Sequence, residues 1–138
     1  MKISHSLRVA GLVGSITILS HTPSYAFDLN GAWTTAVSAC GKIFDKNKEN
    51  KISIRGGSGM YGDAFIVRDN SIVGPGGSCT IEKRKDVGSI HHLVANCAAG
   101  NVAISTFQFS FRVKDDNNIV RIFPGIEELD VAYGRCKF

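Results

Sequence analysis

The segment at residues 57–62 is the first whose spacing could do chemistry, because Gly-Ser-Gly-Met-Tyr-Gly fits the Gly-x-Gly-x-x-Gly pattern of dinucleotide-binding turns. That pattern binds a pyrophosphate only when a helix N-terminus follows the glycines. Here residues 63–67 are Asp-Ala-Phe-Ile-Val, which predicts a strand instead. A glycine-rich hairpin loop is therefore the better interpretation, and we expect no cofactor.

The adjacent histidines His91 and His92 are candidates for metal binding or general base catalysis. On a strand they point to opposite faces, so they cannot readily share a metal, and no third ligand has a useful spacing. Ser58 is the most tempting nucleophile, but its Gly-Gly-Ser-Gly context is one residue short of a nucleophile elbow. A triad assembled in space is the alternative. We expect no metal site and no enzyme activity.

The carboxylates form acidic clusters that could in principle cleave glycosides if they faced each other across a cleft. They lie in or beside predicted turns, where solvated Asp and Glu are ordinary, and we assign them no catalytic role. These residues are Asp115, Asp116, Glu127, Glu128 and Asp130.

The beginning of the chain has the three parts of a secretory signal peptide: Lys2 and Arg8, an apolar run at residues 9–19, and small residues ending at Ala26. The run is about half of the ~20 residues that span a bilayer. We therefore expect residues 1–26 to be removed and residues 27–138 to form one domain, periplasmic or secreted, with no membrane span. Without Lys2 and Arg8, 14 of the 16 basic residues remain against 12 acidic residues. This small excess of positive charge is too low to predict nucleic-acid binding.

Short strands are predicted almost throughout the expected domain. Residues 106–114 alternate strictly, with three phenylalanines and a valine on one face and polar side chains on the other. Further strands are predicted at residues 51–55, 63–68, 79–85, 89–97, 119–123 and 129–133, and one helical turn is allowed at residues 36–44. Seven or eight short strands with hairpin connections favour an all-β barrel or sandwich. We predict a small antiparallel meander barrel, because closure removes exposed edges.

An even number of cysteines in a short exported chain predicts two disulfides rather than a zinc site, since no close Cys or His pair occurs. With a three-residue loop at residues 87–89, Cys79 lies opposite Cys97, Ile81 opposite Ala95 and Lys83 opposite Leu93. The predicted bridges are therefore Cys79–Cys97 and, by elimination, Cys40–Cys136.

Residues near both ends of the expected domain resemble those of a known protein family. Gly31-Ala32-Trp33 near the beginning and Arg135 near the end resemble lipocalin-like (calycin) barrels, in which a first-strand Trp packs beneath an Arg of the last strand. In size, compartment and cysteine use the chain is most similar to small exported barrels that inhibit proteases or lysozymes. The resemblance implies structural roles for Trp33 and Arg135; the alternative is that Trp33 is simply a core aromatic residue.

The function expected from these observations is a non-enzymatic binding module, inhibitor-like, that recognises an unknown protein or cell-envelope partner through its rim loops. Met60 and Tyr61 on the loop at residues 56–62 are the candidate anchors, and the loop at residues 74–77 is a second candidate recognition surface. In the predicted register Lys83, Lys85 and His91 share the cysteine face as a candidate anion-binding rim, with Arg84 and His92 on the opposite face.

The alternative function is a small-ligand carrier with an internal cavity. We expect a filled interior, because aromatic side chains are bulky and an eight-stranded barrel is only just wide enough to hold side chains. The residues predicted to point inward are Trp33, Phe65, Ile81, Leu93, Phe107, Phe109, Phe111, Leu129, Val131 and Tyr133.

Overall fold

A computed structural model describes residues 26–138, so the signal peptide predicted at residues 1–26 lies outside the described residues except for Ala26. Along these residues the structure contains ten strands, one short helix and three 3-10 turns, the turns at Val37–Ala39, Ser58–Met60 and Glu127–Leu129. The elements are β1 (Gly31–Thr34), α1 (Cys40–Ile43), β2 (Phe44–Lys46), β3 (Ile52–Ile54), β4 (Ala64–Arg68), β5 (Ser71–Gly74), β6 (Gly77–Val87), β7 (Ile90–Ala99), β8 (Val102–Asp115), β9 (Asn118–Ile122) and β10 (Val131–Arg135).

Eight of the strands close into an antiparallel barrel in the order β1-β10-β9-β8-β7-β6-β5-β4, which confirms the predicted architecture. We call the end that holds Gly31, Ile90 and Arg135 the base, and the end that holds Thr34, Gly74 and Ile122 the rim. The two remaining strands, β2 and β3, pair as a hairpin within the long connection from β1 to β4. No helix within residues 26–138 is long and apolar enough to cross a membrane.

Aromatic side chains from non-adjacent strands pack together in the barrel interior. The Phe65 ring centroid lies 5.0 Å from that of Tyr133 and 5.5 Å from that of Phe111, and Trp33 is fully buried beside them. Burial of one such side chain contributes about 1.5–3 kcal/mol or more, so these rings dominate the core. The other buried members are Leu29, Val67, Ile72, Ile81, Leu93, Ala95 and Ile119.

Two of the residues predicted to point inward are exposed instead. Leu129 lies in a 3-10 turn before β10 and is 52% exposed, because the alternation that suggested a strand begins only at Val131. Phe107 is on the inward face of β8 but 44% exposed, because β8 extends past the barrel at the rim. The strand β5, which contains Gly74 beside a Pro-Gly turn, was missed for lack of a long alternating pattern.

A second apolar cluster lies outside the barrel, beneath the connection between β1 and β4. Ile43 and Phe44 from this connection pack onto the outward faces of Ala32 and Ile66. The predicted disulfide Cys40–Cys136 is confirmed and ties α1 to the chain just after β10. The helical turn allowed at residues 36–44 is present as a 3-10 turn followed by α1.

The hairpin of β6 and β7 confirms the second disulfide but corrects its predicted register. Cys79 lies opposite Cys97 and Ile81 opposite Ala95, as predicted, with the cysteine Cα atoms 3.9 Å apart. A bulge at Glu82 then moves Lys83 opposite Val94 and Arg84 opposite Leu93. Because one extra residue reverses the face of everything that follows it, Lys83 and Lys85 share a face with His92 rather than with His91.

Candidate functional site

Arg135 and Trp33 meet at the base of the barrel. The guanidinium carbon of Arg135 lies 4.2 Å from the Trp33 ring centroid, a cation–π geometry. Arg135 also donates hydrogen bonds to the carbonyl oxygens of Asp28, Asn30 and Asp116. Gly31 makes the approach sterically feasible, because a Cβ at this position would lie 2.8 Å from an Arg135 nitrogen. All of these contacts of Arg135 and Trp33 are with residues of the same chain, so they hold the base of the barrel together.

The glycine loop at residues 56–62 has no phosphate-binding geometry. Its glycines lead into the three-residue turn Ser58–Met60 and then into β4, so no helix N-terminus follows them. Ser58 is only 3% exposed and does not project as a nucleophile. By contrast Met60 is 81% exposed and Tyr61 is 43% exposed, with the Lys42 ammonium 5.3 Å from the Tyr61 ring centroid. The loop therefore presents apolar side chains to the surroundings.

A groove of about 440 Å³ lies where the two loops predicted for partner recognition come together. Residues 56–59 of the glycine loop form one wall, with β3 beside them, and Gly74 and Pro75 of the β5–β6 turn form the other. Ile66 and Val73, which are paired across β4 and β5, contribute from the outer face of the barrel. We call this the glycine-loop groove. Its volume falls within the range of small-molecule and peptide-anchoring sites.

The charged side chains of the glycine-loop groove are held by the surrounding structure. Arg68 donates to the carbonyl oxygen of Ile52, which links β4 to the β2–β3 hairpin. Arg55 pairs with Asp45 at 2.6 Å, and both side chains of this pair are about half exposed, so its contribution to stability is small. The groove thus combines apolar walls with a mildly basic border.

The predicted anion-binding residues lie in two places rather than one. Lys83 and Lys85 line a shallow groove of about 400 Å³ on the outer face of β6–β8, together with His92. His91 points inward at the base, where its Nδ1 atom lies 2.6 Å from an Asp86 oxygen and its ring centroid lies 5.5 Å from that of Phe27, with the two ring planes tilted by 43°. The structure therefore separates His91 from the two lysines, and both of these from Met60 and Tyr61.

A serine–histidine contact is present on the outer face, but it lacks the remaining parts of a catalytic site. The Nδ1 atom of His92 lies 2.8 Å from the Ser110 hydroxyl oxygen. Ser110 is 4% exposed, and no carboxylate of residues 26–138 pairs with His92. A triad needs an accessible nucleophile and a third group that orients the base. The same residues contain no group of three or more side chains suited to holding a metal.

Sequence reasoning missed a polar cluster just inside the rim, formed by Tyr133, Asp63 and Arg121. The Tyr133 hydroxyl donates a hydrogen bond to the Asp63 carboxylate. Burial, followed by the neighbouring Asp63 carboxylate, raises the pKa of Tyr133 well above its ordinary value, and Arg121 offsets part of this. Arg121 lies between two rings, 5.0 Å from the Phe109 centroid and 4.8 Å from that of Phe123.

The inward direction of Arg121 could not be read from the sequence. Its strand, β9, carries apolar residues at Ile119, Val120 and Ile122, so both of its faces appear equally suited to burial. Only the pairing of Arg121 with Phe111 and Val131, which face the interior, fixes the side.

Comparison with known proteins returns no matching family model, curated protein or solved structure. The barrel is consistent with a calycin-like architecture, and the likeness stays at the level of the fold.

Proposed function

We propose that the chain is an exported, non-enzymatic binding module, of the inhibitor-like kind, that takes a protein partner at the glycine-loop groove. The observation that carries the proposal is the convergence of the two loops on one groove, together with the exposure of Met60 and Tyr61, which directly follow Gly59 of its wall. Tyr and Met are enriched in the centres of protein interfaces, and a Tyr beside a preformed groove is a typical anchor.

The packed interior favours this function over a small-ligand carrier. A carrier needs a cavity of about 300 Å³ or more in which the ligand loses most of its contact with water. The space between the strands is occupied by one buried cluster that includes Trp33 and in which the Phe65 ring packs against the rings of Phe111 and Tyr133. The outer grooves are open to solvent and suit the side chains of a protein partner.

Export and the absence of turnover are parts of the same proposal. The two disulfides support export, because disulfides persist in an oxidising compartment. Together the two bridges use all four cysteines, which leaves no free thiol for catalysis. The Ser58 and Ser110 hydroxyls are buried, which argues against a serine nucleophile. The border of the groove is basic, which suits a partner with an acidic surface.

A pair of glycine substitutions tests the groove. Gly56 lines it and Gly76 does not, and a Cβ at either position meets nothing within 4 Å. We expect Gly56→Trp to fill the groove and abolish capture of the partner from an extract of exported proteins, whereas Gly76→Trp retains capture. Thermal unfolding of both variants shows that the fold is intact.

A second arm tests the anchors. Tyr61→Ala and Met60→Ala should each weaken capture about tenfold or more, whereas Val87→Ala, which trims an exposed apolar side chain at the base, should have no effect. Equal capture by wild type and Gly56→Trp would contradict the proposal. A lipid recovered at one equivalent from the purified protein by solvent extraction would favour the carrier instead.

A further inference from the structure

Two lysines with no ion-pair partner lie together on the outer face of the β6–β7 hairpin. Lys83 and Lys85 are paired with Val94 and His92 of β7, whereas Arg84 between them is paired with a buried core residue. Alternate residues of a strand share a face, so the two lysines point outward with Cα atoms about 6.5–7 Å apart. Within residues 26–138, no carboxylate forms an ion pair with either ammonium group.

His92 lies directly opposite Lys85 on this face, and a buried hydroxyl orients its ring. The Nδ1 atom of His92 lies 2.8 Å from the hydroxyl oxygen of Ser110, which is 4% exposed. This is the one side-chain hydrogen bond that His92 makes within the described part of the chain. When the hydroxyl donates to Nδ1, the proton of the neutral ring is on Nε2, and the protonated ring carries a proton on both nitrogens. In both forms Nε2 is a hydrogen-bond donor beside Lys85.

The shallow groove of about 400 Å³ on this face connects the three side chains. Val87 and Val94 give it an apolar lining, and none of the residues that line it is acidic. The neighbouring carboxylates are held elsewhere, because Asp86 bonds His91 on the inner face and Asp130 lies near Arg112. The groove therefore has an uncompensated positive charge.

This set of donors matches a phosphate monoester group more closely than a carboxylate. A phosphate monoester has a charge of about −1.5 to −2 at neutral pH and three strong acceptor oxygens. A carboxylate has one charge and two oxygens. Lysine side chains are long and flexible, so the two ammonium groups can contact different oxygens of one phosphate while Nε2 of His92 donates to the third.

We propose that Lys83, Lys85 and His92 form a binding site for a phosphate monoester group on the outer face of the β6–β7 hairpin. The lysines balance the charge of the phosphate, His92 fixes its position, and the carbon part of the ligand lies along Val87 and Val94. This site is separate from the glycine-loop groove and does not depend on the proposed function. The phosphate belongs to a soluble phosphorylated molecule or to a lipid headgroup.

Phenyl phosphate is a suitable probe, because it joins a phosphate monoester to a small apolar ring. It is titrated into the oxidised wild-type protein, purified after export of the full chain, and followed by NMR. We expect saturable shifts of the His92 ring nitrogens, with His91 on the opposite face as the internal control. Benzoate, the matched carboxylate, should bind about fivefold more weakly or less. Equal shifts of the two histidines, equal affinity for benzoate, or no saturation would overturn the proposal.

Variants of single lysines separate a local site from general attraction to a basic protein. Lys83→Gln and Lys85→Gln should each weaken binding of phenyl phosphate about fivefold or more, because each removes one charge-assisted hydrogen bond. Lys48→Gln removes the same charge from an exposed residue between β2 and β3, and should change the affinity less than about twofold because distant exposed charges are screened. An equal loss in all three variants would overturn the proposal.

Two further arms identify the source of the phosphate and the surface that binds it. Phosphatidylcholine vesicles with and without phosphatidic acid, whose headgroup is a phosphate monoester, are sedimented with the protein. Binding to the acidic vesicles that Lys85→Gln abolishes assigns a lipid headgroup, whereas binding of phenyl phosphate alone assigns a soluble molecule. Gly56→Trp should leave binding of phenyl phosphate unchanged. Its loss in Gly56→Trp but not in Lys85→Gln would place the anion in the glycine-loop groove and overturn this proposal, whereas the proposed function would stand.

Discussion

Arg135 covers the face of Trp33 at the base, and the same guanidinium bonds the carbonyl oxygens of Asp28 and Asn30. One side chain from the last strand therefore holds both the first-strand tryptophan and the segment that precedes it. Trp33 is fixed from the other side by a hydrogen bond from its Nε1 to the carbonyl oxygen of Leu29, 2.9 Å away.

Removal of this contact should destabilise the whole barrel. We expect Arg135→Ala to lower the free energy of unfolding by about 2–4 kcal/mol, because both the ring contact and the hydrogen bonds are lost. Arg135→Lys should give an intermediate value, since one ammonium cannot reach all of these partners. Urea denaturation measures the change, with the exposed Lys137→Ala as control. A loss below about 0.5 kcal/mol would contradict the assigned structural role.

Two leucines test the assignment of the interior. Leu93 is 1% exposed and Leu129 is 52% exposed. Leu93→Ala should cost about 2–5 kcal/mol, because it removes buried contacts and leaves a cavity. Leu129→Ala should change stability by no more than about 0.5 kcal/mol. Denaturant midpoints of the two variants check the difference, and equal losses would show that the 3-10 turn packs inside.

The two disulfides should differ in their contribution to stability. Cys40 and Cys136 are separated by 96 positions, Cys79 and Cys97 by 18. In chain-entropy terms these loops correspond to about 4.7 and 3 kcal/mol. We therefore expect the Cys40→Ser/Cys136→Ser variant to unfold at lower urea than the Cys79→Ser/Cys97→Ser variant. The reverse order would show that native-state packing, not loop closure, dominates.

Alkaline pH should weaken the fold through Tyr133. Its pKa is raised in the folded protein by burial and by Asp63, so the folded state keeps the proton after the unfolded state begins to lose it near pH ~10. The contribution of this linkage is therefore present below pH ~10 and declines as the pH rises further.

The matching variants are Tyr133→Phe and Tyr61→Phe. Tyr133→Phe should cost about 1.5–3 kcal/mol at pH 7, because a hydrogen bond to a carboxylate is lost, and the deficit should narrow above pH ~10. Tyr61→Phe removes a half-exposed hydroxyl and serves as the control. Denaturation series from pH 7 to pH ~11.5 measure both, and a constant deficit for Tyr133→Phe would contradict the linkage.

The sequence was sufficient for features that depend on alternation and on the pairing of cysteines. Cys79 and Cys97 followed from the hairpin pattern alone, and Cys40–Cys136 followed by elimination. The bulge at Glu82 could not be predicted, because Lys83, Arg84 and Lys85 are all charged and no hydrophobic contrast marks the reversal of faces. The same lack of contrast along β9 concealed Arg121.

The binding surfaces could be predicted only in part. The glycine loop and the turn at residues 74–77 were identified from composition, but their convergence depends on where the β2–β3 hairpin packs against β4 and β5. The part of β8 that extends beyond β9 and leaves Phe107 exposed depends on where β9 ends, and β8 has 14 residues whereas β9 has 5. Neither relationship is local in the sequence.

The contact between Asp28 and Arg135 has a practical consequence for the geometry of attachment. The first residues of the described domain are held at the base, whereas the glycine loop and the β5–β6 turn lie towards the rim. The last residues instead lie over the connection between β1 and β4, where Cys136 is bonded to Cys40 and the Phe138 ring centroid is 6.0 Å from that of Phe44. A tag joined before Phe27 would therefore leave from the end of the barrel opposite these loops, whereas a tag joined after Phe138 would leave beside the hairpin that borders the glycine-loop groove. The domain is consequently suited to surface display through its N-terminal end, with the two loops directed outwards.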